Sequence, residues 1–283
     1  MPDMTKRSLL ATLGLAPLLA GCNTLSLFNT FTPKDEAVRV ARDISFGDDP
    51  RQKLDIYAPK NGGKNLPVLV FFYGGGWNSG SKADYAWMGH SLAALGYLVI
   101  IPDYRLVPQV LYPVFLEDNA LAVKYVMAHA AAYGGDVHRL GVIGHSAGGY
   151  AAAMLALDPR YLGEPSPLQI CVGIAGPYDF YPFDVPASKD AFAQWPRPEE
   201  TQPIHYSRKL ETKFLLMQSR ADTVVGVHNA VNLDARLEAA GTDVTLRLYN
   251  GLSHQDTAAV FSLPFRKKAP LRADAAAWLK TNL

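Results

Sequence analysis

The chain has 283 residues, of which 49% are apolar and 19% charged, and its formal net charge is +1. That length and apolar share suffice for one large buried core. Near-balanced charge without a basic stripe or a charge block excludes nucleic acid as a partner.

In chain order, the first feature is a targeting segment. Lys6-Arg7 forms a positive start, and residues 9–19 form an apolar run too short to span a bilayer as a stable helix. Leu19-Ala20-Gly21-Cys22 resembles a bacterial lipoprotein cleavage box. The expectation is a signal peptide over 1–21, a lipid on the Cys22 thiol and a tether over 22–36, polar across 23–34. The lipid would tie the protein to a membrane without a spanning helix. Asn23 is not the Asp that commonly retains such lipoproteins at the inner membrane, so the expected location is the periplasmic face of the bacterial outer membrane. With Cys22 acylated, Cys171 has no partner; it reads as an inert core residue, and no spacing of Cys and His suggests a metal site.

The domain proper is expected over 37–283. Residues 37–45 and 52–57 read as strands joined by a turn at Gly47-Asp48-Asp49-Pro50. Strands then alternate with helices. Strands are expected at 68–72, 97–101, 140–143, 169–173, 214–217 and 244–249, and helices at 85–95, 117–132, 148–157, 227–240 and 271–282. The alternation argues for a mostly parallel sheet covered on both faces. Asp103 and Arg105 read as a pair beneath the site. Glu117 and Asp118 read as charges suited to the start of a helix. The stretch 180–206 carries five prolines together with Phe183, Phe192 and Trp195. It reads as a small cap over the substrate pocket.

Two glycine-rich stretches carry the chemistry. Tyr73-Gly74-Gly75-Gly76-Trp77 directly follows an apolar strand. Glycines there let backbone N–H groups face a cavity unobstructed, which suits binding of a tetrahedral oxyanion. Gly144-His145-Ser146-Ala147-Gly148 lies between a strand and an Ala-rich helix, so Ser146 would be held out at the tip of a sharp turn. A serine nucleophile needs a base, and of the seven histidines His254 stands after the last strand. His145 points away from its neighbour on a tight turn. For the acid that orients the base, Asp222 follows the strand 214–217, whereas Asp179, Asp243 and Asp256 are placed less well.

These stretches, with Asp103-Tyr104-Arg105-Leu106 and Tyr133-Gly134-Gly135-Asp136, resemble the α/β-hydrolases of the hormone-sensitive-lipase-like and BD-FAE-like esterase group over about 37–283. The resemblance implies an α/β-hydrolase fold: a mostly parallel eight-stranded sheet with helices on both faces and a small cap. It implies a Ser146, Asp222, His254 triad in that group's chain order, and oxyanion donors at Gly75, Gly76 and Ala147. It also implies cleavage of small carboxylic esters through an acyl-enzyme, without a cofactor. Where that group usually has His at the head of the glycine loop, this chain has Tyr73. Trp77 and Trp195 are the expected substrate contacts. The same residues would serve an arylformamidase-like amidase, with Trp77, Trp87 and Trp195 against an aromatic substrate. A surface lipoprotein that kept the fold without catalysis is the third alternative.

Overall fold

The computed structural model of the chain describes residues 21–283. The signal segment expected before them lies outside the described residues, as does the side chain of Cys22.

Eight strands form one sheet: β1 (Ala37–Ser45), β2 (Lys53–Pro59), β3 (Leu66–Phe72), β4 (Leu98–Pro102), β5 (Gly135–His145), β6 (Ile170–Ile174), β7 (Lys213–Ser219) and β8 (Val244–Tyr249). Their order across the sheet is β1-β2-β4-β3-β5-β6-β7-β8. β1 pairs antiparallel with β2, and β2 antiparallel with β4; all later pairs are parallel. Every residue of β4 and β6 is buried, so both faces of the sheet centre are covered. This is why those runs read as unbroken apolar stretches rather than alternating ones.

The first helix, α1 (Gly21–Phe31), replaces part of the expected tether. Its Phe28 ring lies 5.4 Å from Trp87 and 5.8 Å from Phe265, and Asn29 Oδ1 accepts from the Trp87 amide. These partners are distant in sequence, so a local polar composition could not announce them. Leu27 and Phe31 remain exposed. No helix among the described residues is long and apolar enough to cross a membrane.

The main helices are α2 (Ala86–Ala93), α3 (Val114–His129) and α4 (Ala147–Leu157), followed by a single turn, α5 (Pro159–Leu162). All residues of α4 are buried, which its Ala-rich sequence permits by bringing helix and sheet close together. The 180–206 stretch contains α6 (Pro186–Phe192) and two 3-10 turns, Pro198–Thr201 and Pro203–Tyr206. Phe192 fills the space beneath it, 4.8 Å from Trp77 and 5.4 Å from Tyr150 between ring centres. Arg160 fastens its far end, donating to Tyr206 Oη while paired with the buried Asp158 at 2.6 Å. The chain closes with α7 (His228–Ala239), α8 (His254–Ala259) and α9 (Leu271–Asn282).

Two expectations about charge need correction. Asp103 and Arg105 do not pair. Arg105 instead grips Asp118 at 2.7 Å, and Asp103 accepts from Tyr73 Oη and the Lys82 amide. Both residues follow the end of β4, where the chain no longer alternates as a strand and side chains two apart need not share a face. Asp118 is therefore an ion-pair partner well inside α3, which starts at Val114, and not merely a charge at the helix start.

Candidate active site

Ser146 occupies the junction of β5 and α4 with φ 56° and ψ −123°. A side chain rarely tolerates such a backbone, and the surrounding structure must enforce it. The enforcement is visible. The Ser146 amide donates to the Ile174 carbonyl at 2.9 Å, and the Ser146 carbonyl accepts from the Tyr150 amide at 3.1 Å. A Cβ on Gly144 would overlap the Gly148 carbonyl, and one on Gly148 would overlap the Phe72 carbonyl. Both glycines are thus demanded by the closeness of strand and helix.

His254, placed after the last strand, is the first residue of α8. Ser253 caps that helix, its Oγ accepting from the Asp256 amide while Asp256 accepts from the Ser253 amide. Asp256 also pairs with Lys268 at 2.7 Å. Ser219 Oγ at the end of β7 donates to the Leu252 carbonyl at 2.7 Å and draws the turn over the sheet.

Asp222 lies just beyond β7. Its Oδ1 accepts from the amides of Val224 and Val225 at 2.8 and 2.9 Å, and its Oδ2 from Gln218 Nε2 at 3.1 Å. Burial by itself would raise this carboxyl. The hydrogen bond and charge of His254, with the two amides, outweigh burial and hold it below the ordinary carboxylate value.

These residues meet. His254 Nδ1 is 2.8 Å from Asp222 Oδ2, and His254 Nε2 is 2.8 Å from Ser146 Oγ. A carboxylate only accepts, so Nδ1 carries the proton and Nε2 is left to accept from the serine hydroxyl. The arrangement can therefore move a proton off Ser146 as its oxygen attacks an electrophile.

The glycine loop lies beside this line. A Cβ on Gly74 would come within 2.9 Å of the Ser146 Cβ. Gly75 and Gly76 have φ of 143° and 56°. The Gly75 carbonyl accepts from the amides of Asn78 and Ser79 and from Ser79 Oγ. Because a trans peptide opposes its C=O and N–H, this turn aims the Gly76 amide the other way. Ala147 is the first residue of α4, where the amide has no partner within the helix and the dipole favours negative charge.

Tyr73 braces the loop. Its hydroxyl donates to Asp103 Oδ1 at 2.9 Å and accepts from Arg51 Nη2 at 3.1 Å; the same guanidinium donates to the carbonyls of Gly80 and Tyr104. Its ring stacks on Tyr104 with centres 4.9 Å apart. Tyr73→Phe should cost about 1 kcal/mol of stability, because two half-buried partners, Asp103 and Arg51, each lose a bond. Denaturant unfolding of the two proteins measures this.

The two expected substrate contacts, Trp77 and Trp195, both pack against other aromatic rings. Trp77 is 6% exposed, with a φ of 63°, wedged among Tyr150, Phe180 and Phe192. Trp195 packs edge-on against Tyr112, and its Nε1 donates to Glu200. The cap helix reaches the loop through Ala187, whose Cβ would lie 3.4 Å from a Cβ on Gly76. Sequence reasoning missed Gln218 as a support of Asp222. A polar residue closing the apolar run 214–217, four positions before the acid, was the available signal.

This architecture, with its turn of positive φ between a central parallel strand and the next helix, defines an α/β-hydrolase fold. The hyperthermophilic esterase from the archaeon Pyrobaculum calidifontis shares it, with a TM-score of 0.76 at 22% identity over 99% of both chains. The chain belongs to the BD-FAE family, whose model matches residues 54–237. It is 28% identical to the isoprenylcysteine alpha-carbonyl methylesterase of Arabidopsis thaliana over 77% of this chain and 57% of that protein. It is 31% identical to the esterase LipC of Mycobacterium tuberculosis over 70% of this chain and 55% of that protein. The chain thus spans a little over half the length of these curated relatives.

Proposed function

We propose that the chain is a carboxylesterase-type serine hydrolase. The observation that carries this reading is the continuous hydrogen-bonded line from Asp222 through His254 to Ser146, 2.8 Å at each step. Esterase names among its relatives support the same class. In the proposed reaction, Ser146 Oγ bonds to the ester carbon while its proton passes to His254 Nε2. The carbonyl electrons move onto oxygen, where the amides of Gly75, Gly76 and Ala147 receive them. Collapse breaks the carbon–alkoxide bond, and His254 gives its proton to the leaving alcohol. Water then attacks the acyl-enzyme with His254 as base, releasing the acid and restoring Ser146. Asp222 stays ionised throughout and stabilises the imidazolium.

The test is turnover of p-nitrophenyl esters of graded acyl length beside N-formylkynurenine, for the native protein and Ser146→Ala. Ester turnover that falls about 10⁶-fold in the variant is expected. Turnover of the formamide alone would replace esterase by amidase, and a folded variant of undiminished rate would dismiss the nucleophile.

We propose further that a lipid on Cys22 holds the enzyme at a membrane, with the periplasmic face of the outer membrane as its location. Support comes from the sequence over 6–22 and from the exposure of Leu27 and Phe31 on α1, the helix that begins at Gly21. Labelling with an alkynyl fatty acid, lost together with membrane sedimentation in Cys22→Ser, is the expected result; a labelled Cys22→Ser protein would contradict it.

A further inference from the structure

We propose that His145 is a positioning residue: as a neutral ring carrying its proton on Nε2, it ties the main chain of His254 to the strand that bears the nucleophile. This rests on the serine-hydrolase reading and adds to it a residue that the acyl-transfer steps do not use.

His145 ends β5 and is covalently joined to Ser146. Its ring is 4% exposed and lies 4.9 Å from the His254 ring between centres. Its Nε2 is 3.3 Å from the His254 carbonyl oxygen. A carbonyl only accepts, so Nε2 donates. Thr257 Oγ1 donates to the same oxygen at 2.6 Å, but Thr257 belongs to α8 and moves with it. The bond from His145 comes from the sheet. The separation of base and nucleophile is therefore set by a frame independent of their own hydrogen bond: one peptide link from Ser146 to His145, then one bond to the main chain of His254. Such support of a reacting group by a neighbour with a fixed rotamer is what holds a site within a fraction of an ångström.

The surroundings reserve the ring for its neutral form. Nδ1 is buried without a partner, and it faces Gly74, a Cβ on which would come within 3.1 Å of it. A proton there would be an orphaned buried donor. The titratable groups facing the ring are His254 from α8, Tyr85 ahead of α2 at 6.5 Å between ring centres, and Asp222 beyond His254. Burial first, and the nearness of His254 second, push the imidazole down to about 3. A neutral neighbour does not oppose the charge His254 takes up as Ser146 gives away its proton; a cationic one would.

Two variants separate positioning from packing. His145→Met fills the volume without a donor, and His145→Gln keeps a neutral donor. With p-nitrophenyl acetate, His145→Met should lose about tenfold in kcat with KM unchanged, the size of one neutral hydrogen bond. The rate of fluorophosphonate labelling should fall equally, and His145→Gln should recover most of both at a similar thermal midpoint. A folded His145→Met with native kcat and labelling rate, or a His145→Gln no faster than it, overturns the proposal. Imidazole ¹⁵N spectra of the native protein decide the matter even if a variant does not fold. A His145 signal of the Nε2–H tautomer, unchanged between pH 5 and 9, is expected, and an Nδ1–H tautomer or titration in that range overturns the proposal. Undiminished turnover in Ser146→Ala would instead strike at the underlying reading and leave the tautomer result standing.

Discussion

Asp222→Asn should lower turnover about 10⁴-fold while the protein stays folded. The reason lies in the donors around the carboxylate. The amides of Val224 and Val225 both point at Oδ1, so an Asn there keeps its carbonyl oxygen toward them and turns its NH2 toward His254. Nδ1 must then accept, the proton moves to Nε2, and Nε2 can no longer take one from Ser146. Steady-state kinetics beside a circular-dichroism melt measure both halves of this expectation. The native carboxylate also leaves a signature in acid. Its folded value lies below the ordinary 3.8, so unfolding takes up a proton as pH falls and the ionised form favours the fold. That contribution is complete above 3.8 and disappears as pH drops through the folded value. The stability difference between native protein and Asp222→Asn should shrink accordingly, and a difference independent of pH over this range would contradict the assignment of the charge.

Gly148→Ala should be among the most damaging single-methyl additions in the chain. The new Cβ would overlap the Phe72 carbonyl and lie 2.7 Å from the Tyr73 carbonyl oxygen. Both obstacles are main chain at the end of β3, so no rotamer change relieves them. Every residue of α4 is buried, so a shift of that helix disturbs packing along its whole length. A loss of about 3 kcal/mol is expected, which lowers the melting temperature by about 6–12 °C. Gly241→Ala is the matching control. Gly241 has φ of 82° with nothing within 4 Å of the added Cβ, so only the left-handed backbone strain of about 1–2 kcal/mol applies. Similar losses in the two variants would mean that strand and helix approach less closely than described.

Much of this was legible in the residues. β1 and β8 begin and end where alternation and β-branched runs suggested, and α9 starts directly after Pro270 as a helix should. β5 extends five residues ahead of its apolar core, because its first half is half-exposed and lacks an apolar run. Gly144 and Gly148 were readable because each marks a place where two backbones nearly touch. Side chains whose role depends on distant partners were not. Phe28 becomes a core contact only through Trp87 and Phe265, so its segment looked like a tether. Tyr73 looked like a departure from the usual His until Asp103 and Arg51 were seen at its hydroxyl. The packing of Trp77 was not legible either, because an aromatic after a glycine loop says nothing of the Phe180 and Phe192 rings beside it.

The central claim is that the hydroxyl at the β5–α4 turn is the atom that becomes acylated. The most direct measurement is peptide mass spectrometry of the protein after reaction with a fluorophosphonate, which marks the attacking oxygen covalently. A single phosphonyl group on Ser146, formed far more slowly in His254→Ala, is the predicted result. A modified side chain elsewhere, or folded protein that takes up no label, would contradict it.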